Sequence, residues 1–289
     1  MNFTTTASKV SDAAPGSEEW LRVRRQGIGG SDVAAILGLS KWTSAYTLWA
    51  QKTGKLLDNP TSEQMEWGNR LEPVIFEKFA ENHPELKIEA NVGTYQSNEY
   101  GFMFANPDGI YQTEGGSYGV LEIKTAMYED EWREGVPRYY ETQVQWYLQV
   151  LGLKTAYVAV LFHGNKYEEY QIEANSWEQD IAHVAAQEFM NYLYEDRVPD
   201  FDGAQSTYET VRKLHPEIDD TEVDLTEMYE DYSEAVKVAE SAASRVLELK
   251  SRVLDRMQNS KHGLVDGAKV FSRQARNGGT PFLTVKNTK

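Results

Sequence analysis

Asn106-Pro107-Asp108-Gly109 is followed, 14 positions on from its aspartate, by Leu121-Glu122-Ile123-Lys124. In a strand, alternate side chains share a face. Glu122 and Lys124 therefore point one way, and Leu121 and Ile123 point the other, into the core. Phe102-Met103-Phe104-Ala105 reads as the preceding strand, and Pro107 and Gly109 turn the chain just beyond it, where Asp108 sits. Two carboxylates and an ammonium converging at strand ends form a site for a hard divalent cation and a polarised water. Taken singly, a Glu-x-Lys on a strand is more often a solvated face and Pro-Asp-Gly a common turn. Their combination with an acidic helix upstream and a Gln-containing helix downstream favours chemistry.

Outward from this centre the pattern alternates helices and strands. Residues 1–16 read as a flexible lead. Residues 17–25 form a short helix with Trp20, Leu21 and Val23, and Gly27-Ile28-Gly29-Gly30-Ser31-Asp32 turns into a second helix that Gly38 closes. Further helices are expected over residues 43–53 and 62–82; the latter is amphipathic, and Pro73 kinks or restarts it. Strands follow over residues 87–92, 100–105 and 119–125, with residues 112–117 as a hairpin between the last two. A helix over residues 138–151 stops at Gly152, a second hairpin spans residues 155–172, and a helix capped by Ser176 runs to about residue 194. Residues 17–204 thus make one α/β domain, a mixed central sheet flanked by helices. In the extension, residues 205–289, a three-four apolar spacing from Leu225 to Met257 predicts a long helix that packs on the domain or pairs with another chain. A basic hairpin follows it.

Composition bounds the function. A chain of 289 residues, 40% hydrophobic, can bury a substantial core. No apolar run approaches the ~18 residues needed to span a bilayer, and Met1-Asn2-Phe3-Thr4-Thr5-Thr6 lacks the parts of a signal peptide. The absence of cysteine excludes disulfides, zinc thiolates and thiol catalysis. These features suit the cytoplasm of a bacterial host cell. The net charge of −16 argues against a polyanionic partner, but it is unevenly spread. Residues 1–57 carry +3 and residues 261–289 carry +5, against −24 between them. A polyanion could bind only where the basic segments and bound cations line its path. The five histidines, His83, His163, His183, His215 and His262, show no paired metal-ligand spacing and read as structural or surface residues.

The motifs together resemble the PD-(D/E)xK nuclease superfamily, and more narrowly its YqaJ-type viral recombinase group, the family of phage lambda exonuclease. The resemblance covers about residues 18–200, and four separated motifs occur in the right order. It implies a restriction-endonuclease-like core and Mg²⁺ or Mn²⁺, two ions in all, on Asp108, Glu122, the Ile123 carbonyl and Glu72. Glu72 closes Glu66-Trp67-Gly68-Asn69-Arg70-Leu71-Glu72, which matches the family's helix motif with glycine four residues before glutamate. Lys124 would orient the attacking water and favour its hydroxide form. In Tyr140-Glu141-Thr142-Gln143-Val144-Gln145, Gln143 would bridge the catalytic water or Lys124. Tyr140 lies one turn earlier on the same face, and Gln145 is turned away.

Arg24 and Ser31 match positions that hold a 5′-phosphate in the resembling exonucleases, and the basic pair Arg24-Arg25 before a glycine turn suits the same phosphate. Asp32 would repel a phosphate unless a cation or Arg25 offsets it. The family implies a metal-dependent deoxyribonuclease that resects linear duplex DNA 5′ to 3′. It further implies action with a single-strand annealing protein, as a homo-oligomer that can form a ring. A structure- or site-specific endonuclease on the same fold, and a non-catalytic interaction protein retaining it, are the alternatives.

Overall fold

Where the sequence suggests a flexible lead, the computed structural model has a strand, β1 (Ala7–Ser11), in which exposed Ser8, Lys9 and Val10 lie between buried Ala7 and Ser11. The structure describes residues 5–14, 16–57 and 62–286; the first four residues of that lead, and Pro15, lie outside them. The helices α1 (Glu18–Arg24), α3 (Ala45–Lys52) and α4 (Glu63–Asn82) each begin at a serine, Ser17, Ser44 or Ser62, whose side chain accepts a backbone N–H of the first turn. Between the first two of these, α2 (Gly30–Ile36) follows the glycine turn. Pro73 neither ends nor restarts α4, which is one helix of 20 residues.

Strands β2 (Lys87–Ala90), β3 (Thr94–Ser97), β4 (Phe104–Ala105), β5 (Gly109–Gln112) and β6 (Tyr118–Ala126) come next. This corrects the reading of residues 100–105 as one strand. Only Phe104 and Ala105 are extended, because the backbone around Phe102 to Phe104 is bound to Ile28, which donates to the Phe102 carbonyl (2.7 Å) and accepts from Phe104 (2.9 Å). The strand that carries Asp108 to the site is β5, whose pairing sets Gly109 opposite Leu121.

Helix α5 (Arg138–Leu151) has the bounds expected from the sequence, and Gly152 ends it in the left-handed conformation at φ 66°. It is the crossover to β7 (Thr155–Phe162), which lies parallel to β6; β8 (Lys166–Glu173) returns antiparallel. Helix α6 (Ser176–Tyr194) is capped by Asn175 rather than Ser176. Helix α7 (Gln205–Leu214), read above as part of the extension, packs on α3 through Ser44, Thr47, Thr207 and Thr210; the Thr47 and Thr210 hydroxyls are 2.9 Å apart.

The five-stranded sheet has the order β2-β5-β6-β7-β8 and a smaller sheet the order β1-β3-β4. Both faces of the larger sheet are covered. Leu121, Ile123 and Ala159 meet Ile75 and Phe79 of α4, while Val120, Val158, Val160 and Phe162 face the main core with Val144, Trp146 and Leu148 of α5. Glu122 shares that second face, so it is enclosed rather than solvated.

The chain divides into two compact units, residues 1–218 and 219–289. The second contains α8 (Thr226–Met257) and a three-stranded antiparallel sheet of β9 (His262–Val265), β10 (Ala268–Gln274) and β11 (Phe282–Val285). The extra strand β9 makes a sheet of the expected hairpin. Among the described residues, no helix is long and apolar enough to cross a membrane.

At Gly27 a Cβ would stand 2.2 Å from the Phe102 carbonyl oxygen. Gly27→Ala is therefore expected to cost about 2 kcal/mol or more through displaced backbone, seen as a fall of several degrees in the melting temperature by circular dichroism. An unchanged melting curve would mean that this contact is not tight in solution.

Candidate active site

The site is built where β5 starts and β6 passes beneath α5. Asp108 enters β5, and its Oδ2 accepts the backbone N–H of Ile123 at 2.7 Å, which locks the Pro-Asp-Gly turn to β6. Glu122 is 1% exposed. Its Oε1 accepts two hydrogen bonds, from Lys124 Nζ at 2.5 Å and from Gln143 Nε2 at 2.6 Å. Its Oε2 is buried with no partner among the described residues. Lys124 lies 4.8 Å from the centroid of the Tyr140 ring, which fixes the direction of its stem. The second N–H of the Gln143 amide goes to the Tyr147 hydroxyl at 3.1 Å. The structure thus brings together Asp108, Glu122, Lys124, Tyr140 and Gln143.

Glu72 stands behind this group on α4. Among the described residues, no set of three or more acidic or histidine side chains closes as a metal cage, so the acidic centre is the pair Asp108 and Glu122. Glu72 senses it through charge: burial first, then the Asp108 carboxylate, raise its pKa to about 7 against the pull of Lys124. Burial raises Glu122 most, with Asp108 adding and Lys124 opposing, and carries it to about 8. Asp108 is also raised, by burial, although Lys124 and the Ile123 N–H oppose. Lys124 goes up in turn; burial would lower it, but Glu122 and Asp108 outweigh burial. The buried centre therefore carries more carboxylate than its one ammonium neutralises. Glu122 Oε2 takes up the difference as a proton, or yields it to a cation. Hard oxygen donors, excess negative charge and an unpartnered buried oxygen suit Mg²⁺ or Mn²⁺.

A second cluster adjoins the first. Arg24 donates to Ser31 Oγ at 3.0 Å and to Asp32 Oδ1 at 2.9 Å. Asp32 is also held by Lys52 at 2.9 Å and by the Gly29 N–H at 3.0 Å. Burial would raise its pKa, but Lys52 and Arg24 prevail and hold it below the usual carboxylate range. The offset for Asp32 thus comes from Lys52 and Arg24. Arg25 caps α1 and is exposed. Lys52 also donates to the Arg24 and Gly27 carbonyls. A narrow cleft here is lined by Trp20, Arg24, Gly30, Ser31, Asn106 and Tyr147 among others. Gly30 permits it, since a Cβ there would lie 2.5 Å from the Tyr147 ring.

Several of these residues escape a sequence reading. Lys52 looks like any lysine in a last helical turn. Asn106 reads in the sequence as part of a turn, yet its Oδ1 accepts from Trp20 Nε1 and Thr94 Oγ1, both at 2.8 Å. Tyr147 does carry a signal, standing one turn after Gln143 on the same face. Gln145 is structural, joined to Glu173, Asn175 and Gln179. His83 lies between Glu85 and Glu169, away from the acidic pair, and His183 packs on Tyr100 and Phe102.

The fold is that of alkaline exonucleases. A crystal structure of the alkaline exonuclease LHK-Exo from Laribacter hongkongensis superposes with a TM-score of 0.52 at 19% identity, over 69% of this chain and 99% of that one. LHK-Exo in complex with dAMP gives 0.53 at 18% identity, over 69% and 98%. Residues 19–156 match the YqaJ-like viral recombinase domain. The YqaJ protein of Bacillus subtilis (strain 168) is 33% identical over 260 residues, 86% of this chain and 80% of its own length. The chain belongs to the YqaJ-like viral recombinase family.

A carboxyl whose pKa is higher folded than unfolded binds more protons in the folded state, so folding weakens as pH rises between the two values. For Glu122 that window runs from about 4.5 to about 8; Glu72 and Asp108 add to it with the same sign. Asp32 acts oppositely, and only as pH falls below the carboxylate range. In EDTA, the melting temperature is expected to decline from pH 5 to pH 8. Glu122→Gln, which can keep its carbonyl toward Lys124 and Gln143, should flatten that decline and melt above the wild type at pH 8. Equal slopes in the two proteins would contradict the assignment of the raised carboxyl to Glu122.

Proposed function

We propose that this chain is a divalent-metal-dependent exodeoxyribonuclease that resects linear duplex DNA 5′ to 3′ from a phosphorylated end. The carrying observation is the adjacency of two unlike sites. One is an acidic centre with a buried unpartnered oxygen, Glu122 Oε2; the other is a cleft edged by Arg24 and Ser31. Family membership and the alkaline exonuclease fold support the same reading.

Asp108 and Glu122 would hold Mg²⁺ or Mn²⁺, with the Ile123 carbonyl as a further oxygen, and a second ion would draw on Glu72. Such an ion, when bound, neutralises charge on a phosphodiester and acidifies a bound water. Lys124 spends one N–H on Glu122 and has two more to orient the water. Because its pKa is raised, it stays an ammonium, so it favours the hydroxide electrostatically instead of accepting the proton itself. Gln143 keeps Glu122 aimed through one N–H, and Tyr140 keeps Lys124 in place. Arg24 and Ser31 would grip a 5′-terminal phosphate, a dianion that takes charge-assisted bonds better than an internal diester. Lys52 supports this by compensating Asp32 from below. Work with a single-strand annealing protein, as a homo-oligomer, belongs to the same proposal. Tyr229, Tyr232 and Val246, exposed along α8, support contacts with another chain.

Nuclease assays on three substrates test it: a linear duplex with 5′-phosphates, the same duplex with 5′-hydroxyls, and a closed circle. The first should be degraded much the fastest and the circle not at all. Asp108→Asn and Glu122→Gln should abolish cleavage, and Lys124→Ala should slow it by a factor on the order of 10² or more. Arg24→Ala should erase most of the preference for the phosphorylated end. Rapid cutting of circles would favour an endonuclease, and cleavage surviving Glu122→Gln would refute the metal site.

A further inference from the structure

Tyr147 joins the acidic centre to the cleft. The residue is only 4% exposed, and burial of a phenol calls for its oxygen and its proton both to be matched. The oxygen is matched, because Gln143 Nε2 donates to it at 3.1 Å. Both Gln143 N–H groups are thereby used, one on Glu122 and one on Tyr147, and this fixes which end of the amide faces the carboxylate. An amide flip would turn the Gln143 carbonyl onto Glu122. Tyr147 must therefore receive from Gln143, and its own proton points elsewhere. The Tyr147 hydroxyl donates no hydrogen bond to any of the described residues, and it lines the cleft shared with Arg24, Ser31 and Asn106. The ring is pressed against Gly30, one residue from Ser31, where no side chain could intervene.

We propose that the Tyr147 hydroxyl is a further binding group of the cleft, donating to a non-bridging oxygen of the 5′-terminal phosphate. The inference rests on the cleft being the seat of that phosphate, as argued above, and adds a ligand and a consequence. Burial and the negative charge of Glu122 and Asp108 keep the phenol protonated, so it stays a donor. When the phosphate is seated, the chain phosphate–Tyr147–Gln143–Glu122 is continuous. A correctly placed end then aligns the carboxylate that faces the scissile bond. Tyr147 is in this sense a binding residue toward the end and a positioning residue toward Glu122.

The experiment measures binding of a fluorescent duplex by anisotropy in EDTA, with 5′-phosphate or 5′-hydroxyl ends, to the wild-type protein and to Tyr147→Phe. Phenylalanine keeps the ring against Gly30 and removes only the oxygen. The ratio of the two dissociation constants should fall about tenfold in the variant, the scale of one hydrogen bond to a charged group. A wild-type protein indifferent to the 5′ end overturns this inference together with the reading beneath it. A wild type that discriminates, beside a Tyr147→Phe variant that discriminates equally, overturns this inference alone. Should the variant fail to fold, 3-fluorotyrosine placed at position 147 of the full chain gives a second reading by ¹⁹F NMR. Its resonance should move on adding the 5′-phosphorylated duplex and not on adding the 5′-hydroxyl duplex. Identical responses to the two duplexes would refute the contact.

Discussion

A carboxylate enclosed between a strand and a helix is the constraint around which this domain is arranged. Glu122 sits in the middle of β6, beneath α5, where an isolated charge would cost many kcal/mol. Two donors on one of its oxygens, Lys124 from the same strand and Gln143 from the helix, lower that cost. The other oxygen remains open, and Asp108, whose Oδ2 is bound by Ile123 N–H, adds negative charge nearby. Such a centre is underneutralised by design of its neighbours, and it favours whatever positive species can reach it. Every element around it serves this geometry: β5 brings Asp108, the β6-to-β7 crossover lays α5 overhead, and α4 covers the opposite face and carries Glu72.

The second cluster solves a related problem with the opposite balance. Asp32 is as enclosed as Glu122, yet it has two cations where Glu122 has one, and its pKa moves down instead of up. Lys52 is nearly as buried as Asp32 and also holds two main-chain carbonyls of the α1–α2 connection. Arg24 is shared between Asp32 and Ser31, so its guanidinium stays at the rim of the cleft. One buried carboxylate thus acts as a fixed anchor for basic groups, and the other as an acceptor kept short of partners. The contrast explains how a chain of strongly negative net charge can hold basic groups together at one cleft.

Much of this was legible beforehand, and the exceptions have physical causes. Alternation around Glu122 and Lys124 identified β6, and the helical stretch stopped by Gly152 identified α5 to the residue, because a glycine in the left-handed conformation ends a helix sharply. The motif spacing also named the residues of the acidic centre. What it could not say is that Glu122 lies within the core, since a Glu-x-Lys on a half-covered sheet has the same letters. Strand β1 is polar and is held by pairing with β3, which no local pattern announces. Strand β5 is four residues long and hidden between turn residues. The split of residues 100–105 follows from a distant partner, Ile28. Lys52 and Tyr147 matter only through neighbours brought from elsewhere in the chain.

The central claim, that an underneutralised buried carboxylate is poised to exchange a proton for a divalent ion, is tested most directly by calorimetric titration of Mn²⁺ at pH 7 in two buffers of different ionisation enthalpy. The difference between the apparent enthalpies gives the protons released per ion bound. The account predicts saturable binding with net proton release, and loss of that release in Glu122→Gln. Binding without proton release, or no binding at all, would contradict it.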